Sequence, residues 1–186
     1  KNYPRSNYTK CIMIHKEIET ALQKQIELEA YASAYYLSMA CWMDVEGFEG
    51  TAQYLYAQSD EERMHMLKIV HFINDNDGHA EVPSIDRPPK KFQDYHTCFD
   101  QVLKQEQTVT NSIHKITKLA LTLDDHASHN FLQWYISEQM EEEKNVKSIL
   151  NKLKIIGNDG SGLYLVDTEL ATISPQPTGT IPEENA

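Results

Sequence analysis

Cysteine is scarce in this sequence, and the few positions that it occupies exclude two kinds of framework. The three cysteines, Cys11, Cys41 and Cys98, are an odd, scattered set without a Cys-x-x-Cys pair. Such a set argues against a fold held by disulfides and against a zinc site made of thiolates. We therefore expect the protein to work in a reducing compartment, the cytoplasm.

Long apolar runs are also lacking, and basic residues are outnumbered by acidic ones. No stretch reaches about 18 apolar residues, the length typical of a membrane span, and no hydrophobic region follows the N-terminus. We expect neither a membrane anchor nor a signal peptide. The 17 Lys and Arg residues face 28 Asp and Glu residues, for a net charge of -11. This balance disfavours nucleic acid and anionic membranes as partners and favours cations.

Proline and glycine fall mostly between periodic segments, which divides the chain into helices. The 186 residues suit one domain. Apolar residues at helical spacing predict helices over about 15–43, 50–76, 95–122 and 127–155. The stretch from Gly78 to Asp94 contains Pro83, Pro88 and Pro89 and is long enough to travel the length of a bundle. The predicted fold class is therefore all-α, a four-helix bundle of two antiparallel pairs joined by one long crossover.

The two ends of the chain lie outside this bundle. Residues 1–14 are interpreted as an N-terminal arm, residues 15–171 as the folded domain, and residues 172–186, with three prolines, as a disordered tail. The segment from Leu163 to Leu170 predicts a short fifth helix. Packing of this helix against another subunit is the favoured interpretation, and folding back on its own bundle is the alternative.

Each of the four long segments carries carboxylates inside its apolar stripe. The stripes are Ile18, Leu22, Gln25, Glu29, Ala32, Tyr36, Met39; then Leu55, Gln58, Glu62, His65, Ile69, Phe72; then Phe99, Val102, Glu106, Val109, Ile113, Ile116, Ala120; and Phe131, Tyr135, Glu138, Glu142, Val146, Ile149, Leu153. One ionised carboxylate buried alone costs several kcal/mol, and several together cost more. Since no Lys or Arg occupies these positions, the sequence predicts a bound metal ion, of the dinuclear kind that helical bundles hold.

Glu62 and His65 are one turn apart on one helical face, so one helix offers two ligands to one metal. An isolated pair of this spacing is common on helix surfaces, but this pair lies in the apolar stripe. Carboxylates with one imidazole suit iron, manganese or zinc, and we favour iron. Tyr36, two turns after Glu29, is interpreted either as core packing or as a hydrogen-bond or one-electron donor to the metals. A dinuclear ferrous site can deliver electrons to dioxygen, with Glu62 placed to bridge the two ions.

A second acidic group is predicted beside the first. Glu61 lies one position from the metal-facing stripe, and Glu138 and Glu141 precede Glu142 on the fourth segment. The alternative for Glu141, Glu142 and Glu143 is a solvated acidic run, which is the usual meaning of such a triplet. Glu142 and Glu138 differ from that pattern because they share the apolar stripe.

At these residues the chain resembles the ferritins, specifically the non-haem bacterial type, over about residues 15–171. The resemblance is carried by Leu28-Glu29-Ala30-Tyr31, by Ser59-Asp60-Glu61-Glu62-Arg63-Met64-His65, and by the segment from Phe131 to Lys144. It implies a ferroxidase centre, with one iron held by Glu29, Glu62 and His65. The other iron is implied to bind Glu62, Glu106, Glu142 and Gln139. Tyr36 is the implied nearby tyrosine, and a third iron is implied at Glu61, Glu138, Glu141 and Glu142.

The resemblance further implies iron storage as a ferric mineral inside a shell of 24 identical subunits, with the fifth helix around the four-fold axes. It argues against haem, because Arg63 stands where the haem-ligating methionine of bacterioferritin is expected. The implied route of iron entry, at three-fold pores, involves Asp124, Asp125, His126 and His129, although turn capping explains the aspartates equally well. The alternatives are a rubrerythrin-like peroxidase or another non-storing diiron enzyme, and a cage that buffers metal without turnover.

Overall fold

The computed structural model describes residues 14–173 of the chain. These residues form five helices and no strand: α1 (Lys16–Val45), α2 (Glu49–Asp75), α3 (Tyr95–Thr122), α4 (His126–Ile156) and α5 (Gly160–Leu170). The predicted all-α fold and the order of its elements are confirmed, with every helix end at most three residues from the expected one. The predicted N-terminal arm and tail lie almost wholly outside the described residues.

Turn residues place the helix ends where the sequence indicated them. Asp94, Asp125 and Asp159 each cap a helix by accepting a hydrogen bond from a main-chain N–H in its first turn. Gly157 ends α4 with φ +57°, a conformation that glycine adopts without strain. Helices α1 and α2 pack as one antiparallel pair and α3 and α4 as the other, and α1 also packs against α3. The crossover between α2 and α3 lies along α1. The Ser38 hydroxyl of α1 donates a hydrogen bond to the main-chain carbonyl of Pro89 at 2.6 Å.

The apolar core is divided into two clusters. One lies toward the end of the bundle that holds Tyr36, Leu55, Val102 and Val146. The other lies toward Ile26 and the residues around it, including Ile69, Val109 and Tyr135. The interval between the clusters on each of the four helices is where most of the buried polar side chains lie. Those in the interval include Glu29, Gln58, Ser59, Glu62, His65, Glu106, Glu138, Gln139 and Glu142.

Two stripe positions differ from the expected pattern. Phe72 and Phe131 are only partly buried, while their neighbours Ile73 and Leu132 are fully enclosed. The two phenylalanines stack on each other with ring centroids 3.9 Å apart. They therefore close the side of the bundle rather than fill its centre.

Helix α5 folds back on its own bundle, as the alternative from the sequence described it. Val166 and Leu170 are buried in the first apolar cluster, and Lys152 of α4 pairs with Glu169. The opposite face of α5 exposes Tyr164 and Leu165. A contact of that outer face with another subunit stays a prediction. Among the described residues, no helix combines the length and apolar character needed to cross a membrane.

Candidate metal centre

All six residues predicted to hold the dinuclear centre are buried in the middle of the bundle. Glu29 comes from α1, Glu62 and His65 from α2, Glu106 from α3, and Gln139 and Glu142 from α4, and each is at most 5% exposed. Their convergence follows from the helical period, since one stripe per helix faces the common axis. Four separate helices thus bring polar groups into one layer.

Glu29, Glu62 and His65 form a compact group, in which one ligand atom from each lies within 4.8 Å of the others. His65 Nδ1 is 3.4 Å from Glu62 Oε2. Among residues 14–173, no hydrogen-bond partner is found for either imidazole nitrogen of His65 or for Glu29 Oε2. Buried polar atoms without a partner are costly, and a bound cation satisfies such a set. The donor set therefore fits iron as a substrate.

Neighbouring polar groups orient the remaining carboxylates. Tyr36 donates a hydrogen bond to Glu106 Oε1, and Gln139 Nε2 donates to Glu106 Oε2 at 3.1 Å. On the other side, Gln25 Nε2 donates to Glu29 Oε1 at 2.9 Å. Tyr135 holds α2 beside the site, because its hydroxyl donates to the main-chain carbonyl of His65 at 2.6 Å. Gln25 was present in the predicted stripe, but its role as a support for Glu29 was not foreseen.

The electrostatics of the layer favour neutral carboxyls when no cation is bound. Burial raises the pKa of Glu29 well above its ordinary value, and the charge on Glu62 raises it further. Burial and the charge on Glu106 likewise raise the pKa of Glu62. Burial raises the pKa of Glu142 to about 9. Burial also raises the pKa of Glu106, although hydrogen bonds from Tyr36 and Gln139 oppose the shift. A divalent cation can replace these protons as the source of positive charge.

Tyr36 is fully enclosed and keeps its proton. Burial, together with the charge on Glu106, raises the pKa of its phenol well above the ordinary value. The phenol therefore acts as a hydrogen-bond donor to Glu106 while its ring packs in the first apolar cluster. The structure shows the core packing that one interpretation expected, while a role of Tyr36 as a donor to the metals stays a prediction.

A second group lies beside the first and shares His65 with it. Ligand atoms of Glu61, His65 and Glu138 all lie within 4.8 Å of one another. Gln58 Nε2 also donates to Glu61 Oε2 at 2.7 Å. The sequence assigned Glu61 and Glu138 to such a cluster but missed the participation of His65. Glu141, the other residue predicted for this cluster, is exposed and belongs to neither metal-binding group of the described residues.

The residues predicted for iron entry are at the junction of α3 and α4. Asp125 caps α4, since its carboxylate accepts from the Ser128 main-chain N at 2.9 Å and from the Ser128 hydroxyl at 2.8 Å. Asp124 occupies the turn with φ +52°. His126 is exposed, and His129 contacts the side chain of Gln133. The capping interpretation of Asp125 is confirmed, and the pore role of the four residues stays a prediction.

The fold and the buried polar layer together define a helical-bundle protein built to bind metal. The ferritin-like domain model matches residues 19–156. The chain is 37% identical to the bacterial non-heme ferritin of Campylobacter jejuni over 162 residues, which are 87% of this chain and 97% of the relative. It is 36% identical to that of Escherichia coli O157:H7 over 164 residues, 88% and 99% of the two chains.

Solved structures agree with these sequence relatives. The open-pore ferritin of the archaeon Archaeoglobus fulgidus superposes with a TM-score of 0.84 at 35% identity, covering 86% of this chain and 99% of that one. A protein described as a humanized archaeal ferritin gives a TM-score of 0.86 at 34% identity, covering 88% and 99%. The chain belongs to the ferritin family, whose function is iron storage.

Proposed function

We propose that this protein stores iron by oxidising ferrous ions with dioxygen at the buried layer and by retaining the ferric product as a mineral. The observation that carries the proposal is the enclosed group of Glu29, Glu62 and His65, with unpartnered nitrogen and oxygen atoms between two apolar clusters. A buried site of this kind serves cations, because each carboxylate needs either a proton or a positive ion.

In this proposal two ferrous ions are the substrates of the layer. Glu29, Glu62 and His65 hold one ion, and Glu106, Gln139 and Glu142 hold the other, with Glu62 shared between them. Carboxyl protons leave as the ions enter, since the ligands bind in their deprotonated forms. Each ferrous ion then loses one electron. Dioxygen accepts the two electrons with two protons and leaves as hydrogen peroxide, which balances the reaction.

The neighbouring residues have separate parts in this reaction. Tyr36 orients Glu106 by its hydrogen bond, and it is also placed to give one electron to the centre. Glu61, Glu138 and His65 form the proposed third iron site. The shell is proposed to contain 24 identical subunits and to work in the cytoplasm without haem. Asp124, Asp125, His126 and His129 are the proposed guides for cations at its pores.

Stopped-flow absorbance of ferric species after mixing apo protein with ferrous ion and dioxygen tests the enzymatic proposal. The variant Glu62→Ala, His65→Ala should oxidise iron no faster than buffer, because it removes two of the three enclosed ligands. The matched control Asp60→Ala, Arg63→Ala changes exposed residues of the same turn of α2 and should keep the rate of the unmodified protein. Equal rates in all three proteins would contradict a ferroxidase and leave a metal-buffering cage.

Shell size is an independent test of storage. Size-exclusion chromatography with light scattering should give a mass of a multisubunit shell for the apo protein. A monomer or dimer would instead support a non-storing diiron enzyme. Such an enzyme normally draws electrons from a partner or from an attached rubredoxin module, whose iron is held by Cys-x-x-Cys pairs, and the 186 residues contain no such pair.

A further inference from the structure

The side-chain amide of Gln139 is held by hydrogen bonds that use its nitrogen. Nε2 donates to the main-chain carbonyl of Glu106 at 3.3 Å, to Glu106 Oε2 at 3.1 Å and to Thr110 Oγ1 at 3.4 Å. All three acceptors belong to α3. Since a glutamine amide has its donor on one side and its acceptor on the other, this arrangement turns Oε1 away from α3.

The Thr110 hydroxyl accepts a hydrogen bond from Gln139 because it already donates its own proton to another group. The Thr110 hydroxyl donates to Glu143 Oε1 at 2.9 Å, and Lys147 Nζ holds the other oxygen of Glu143 at 2.6 Å. A threonine hydroxyl has one proton and two lone pairs. Once that proton points to Glu143, the oxygen can only accept, and the group facing it must be the amide nitrogen.

The hydrogen bonds that join Gln139, Thr110, Glu143 and Lys147 run beside a groove that is open to solvent. Thr110, Gln139, Glu143 and Lys147 line a groove between α3 and α4 with a volume of about 660 Å³. Gln139 itself is only 2% exposed, so the groove opens beside these hydrogen bonds and not onto the amide.

We infer that Thr110 and Glu143 are positioning residues that fix the polarity of the Gln139 amide, so that its oxygen rather than its nitrogen is offered to the second iron. The inference rests on the proposed function, in which Gln139 is a ligand. An amide nitrogen has no lone pair available for a cation, and its N–H bonds repel one. Thr110 thus adds a third acceptor to the two that Glu106 supplies, and together they favour the orientation in which the oxygen of Gln139 can bind metal.

Cobalt(II) binding to the apo protein tests the inference without iron turnover. Isothermal titration should resolve two tight sites for the unmodified protein. Thr110→Val keeps the side-chain shape but removes the hydroxyl, and we expect it to weaken the second site by about tenfold, the scale of changes to groups that orient ligands. Thr110→Ser should restore the affinity to within about twofold, because serine keeps the hydroxyl.

The matched control is Thr117→Val. Thr117 also lies partly buried on α3, but its hydroxyl donates to the carbonyl of Ile113 at 2.8 Å. This variant should bind cobalt(II) like the unmodified protein. Circular dichroism and shell mass, measured for every variant, establish that each one folds and assembles.

The decisive experiment repeats Thr110→Val in a Gln139→Glu background. The carboxylate of glutamate has two oxygens, so either one can face the metal. The loss of cobalt(II) affinity caused by Thr110→Val should therefore fall to about twofold or less. A tenfold loss that persists in this background would overturn the inference and make Thr110 a packing residue. Unchanged affinity in Thr110→Val alone would also overturn it. If the unmodified protein binds no cobalt(II) at a second site, the proposed centre itself is wrong.

Discussion

The carboxylate of Asp167 in α5 accepts hydrogen bonds from both the main-chain nitrogen and the side-chain hydroxyl of Thr51 at the start of α2, each at 2.7 Å. It also accepts from the main-chain nitrogen of Gly50 at 3.2 Å. The N-cap position of α2 is Phe48, which has no side-chain acceptor. A residue from the far end of the chain therefore supplies the cap that the local sequence of α2 lacks.

Asp167→Ala should lower the free energy of unfolding by about 1 kcal/mol, the usual cost of losing a helix cap. The measurement is the thermal midpoint at a fixed protein concentration, because assembly makes stability depend on concentration. Iron oxidation should be unaffected, since α5 contributes none of the proposed ligands. Asp86→Ala, an exposed change in the crossover, is the control, and an equal midpoint for the two variants would contradict the capping role.

Gly50→Ala should displace α5, although alanine favours helices over glycine by about 1 kcal/mol. A Cβ at position 50 would lie 2.0 Å from the main-chain oxygen of Asp167 and 3.1 Å from Ala171 Cβ. Backbone cannot yield to such a contact as a flexible side chain can, so the steric term outweighs propensity. Hydrogen exchange of α5 amides should become faster. Gly160→Ala, where nothing lies within 4 Å of the new Cβ, should leave that exchange as it is.

Tyr36→Phe separates the hydrogen bond of this residue from its packing. The ring remains, but Glu106 Oε1 loses its donor, so we expect iron oxidation to slow by about tenfold while the thermal midpoint changes little. Stopped-flow absorbance gives the rate, and Tyr164→Phe on the exposed face of α5 is the control. A rate equal to that of the unmodified protein would leave packing as the sole role of Tyr36.

The metal-free protein should become less stable as pH rises from about 4.5 toward 9. The pKa of Glu142 is about 9 in the folded chain against 4.5 as its reference value, because burial disfavours the charge. Between these values the folded state binds more protons than the unfolded state, and stability falls as pH increases. The raised pKa values of Glu29 and Glu62 act in the same direction.

Glu142→Gln removes one of these titrations and should flatten the fall in thermal midpoint between pH 6 and pH 9, relative to the metal-free unmodified protein. Glu27→Gln, an exposed change on α1, is the control. Bound zinc(II) should reverse the trend, because cations bind more tightly as the carboxyls lose their protons. A midpoint that rises with pH in the metal-free protein would contradict the neutral layer.

Most of the fold was predictable because its determinants are local. The stripes around Glu29 and Glu106 follow the helical period, and Asp94, Asp125 and Gly157 mark helix ends within a few residues of the helices that they limit. The same period brought the six predicted ligands to one layer. The long crossover followed from three prolines in a stretch too long for a turn.

Several of the features that were missed depend on pairs far apart in the sequence, and the others depend on side-chain orientation within a helix, as for Gln25 beside Glu29. The role of Asp167 as a cap for α2 spans 116 residues, and nothing near Thr51 announces it. The bond from Thr110 to Glu143 spans 33 residues. Glu138 and Glu141 differ by less than one turn, yet the first is 6% exposed and the second lies on the solvent side. The sequence pattern tells which of the two side chains is buried only when the orientation of α4 about its axis is known.

In the proposed function, the division of the core into two apolar clusters gives iron a mechanical role as well as a chemical one. Hydrophobic contact holds the bundle at either end, while its middle depends on proton-bearing carboxyls that attract one another weakly. A cation seated there connects all four long helices and adds its binding free energy to their cohesion. Binding and release of iron would therefore alternately raise and lower the stability of the middle of the bundle. In the proposed shell, the bound substrate would stabilise the same subunits that enclose the ferric product.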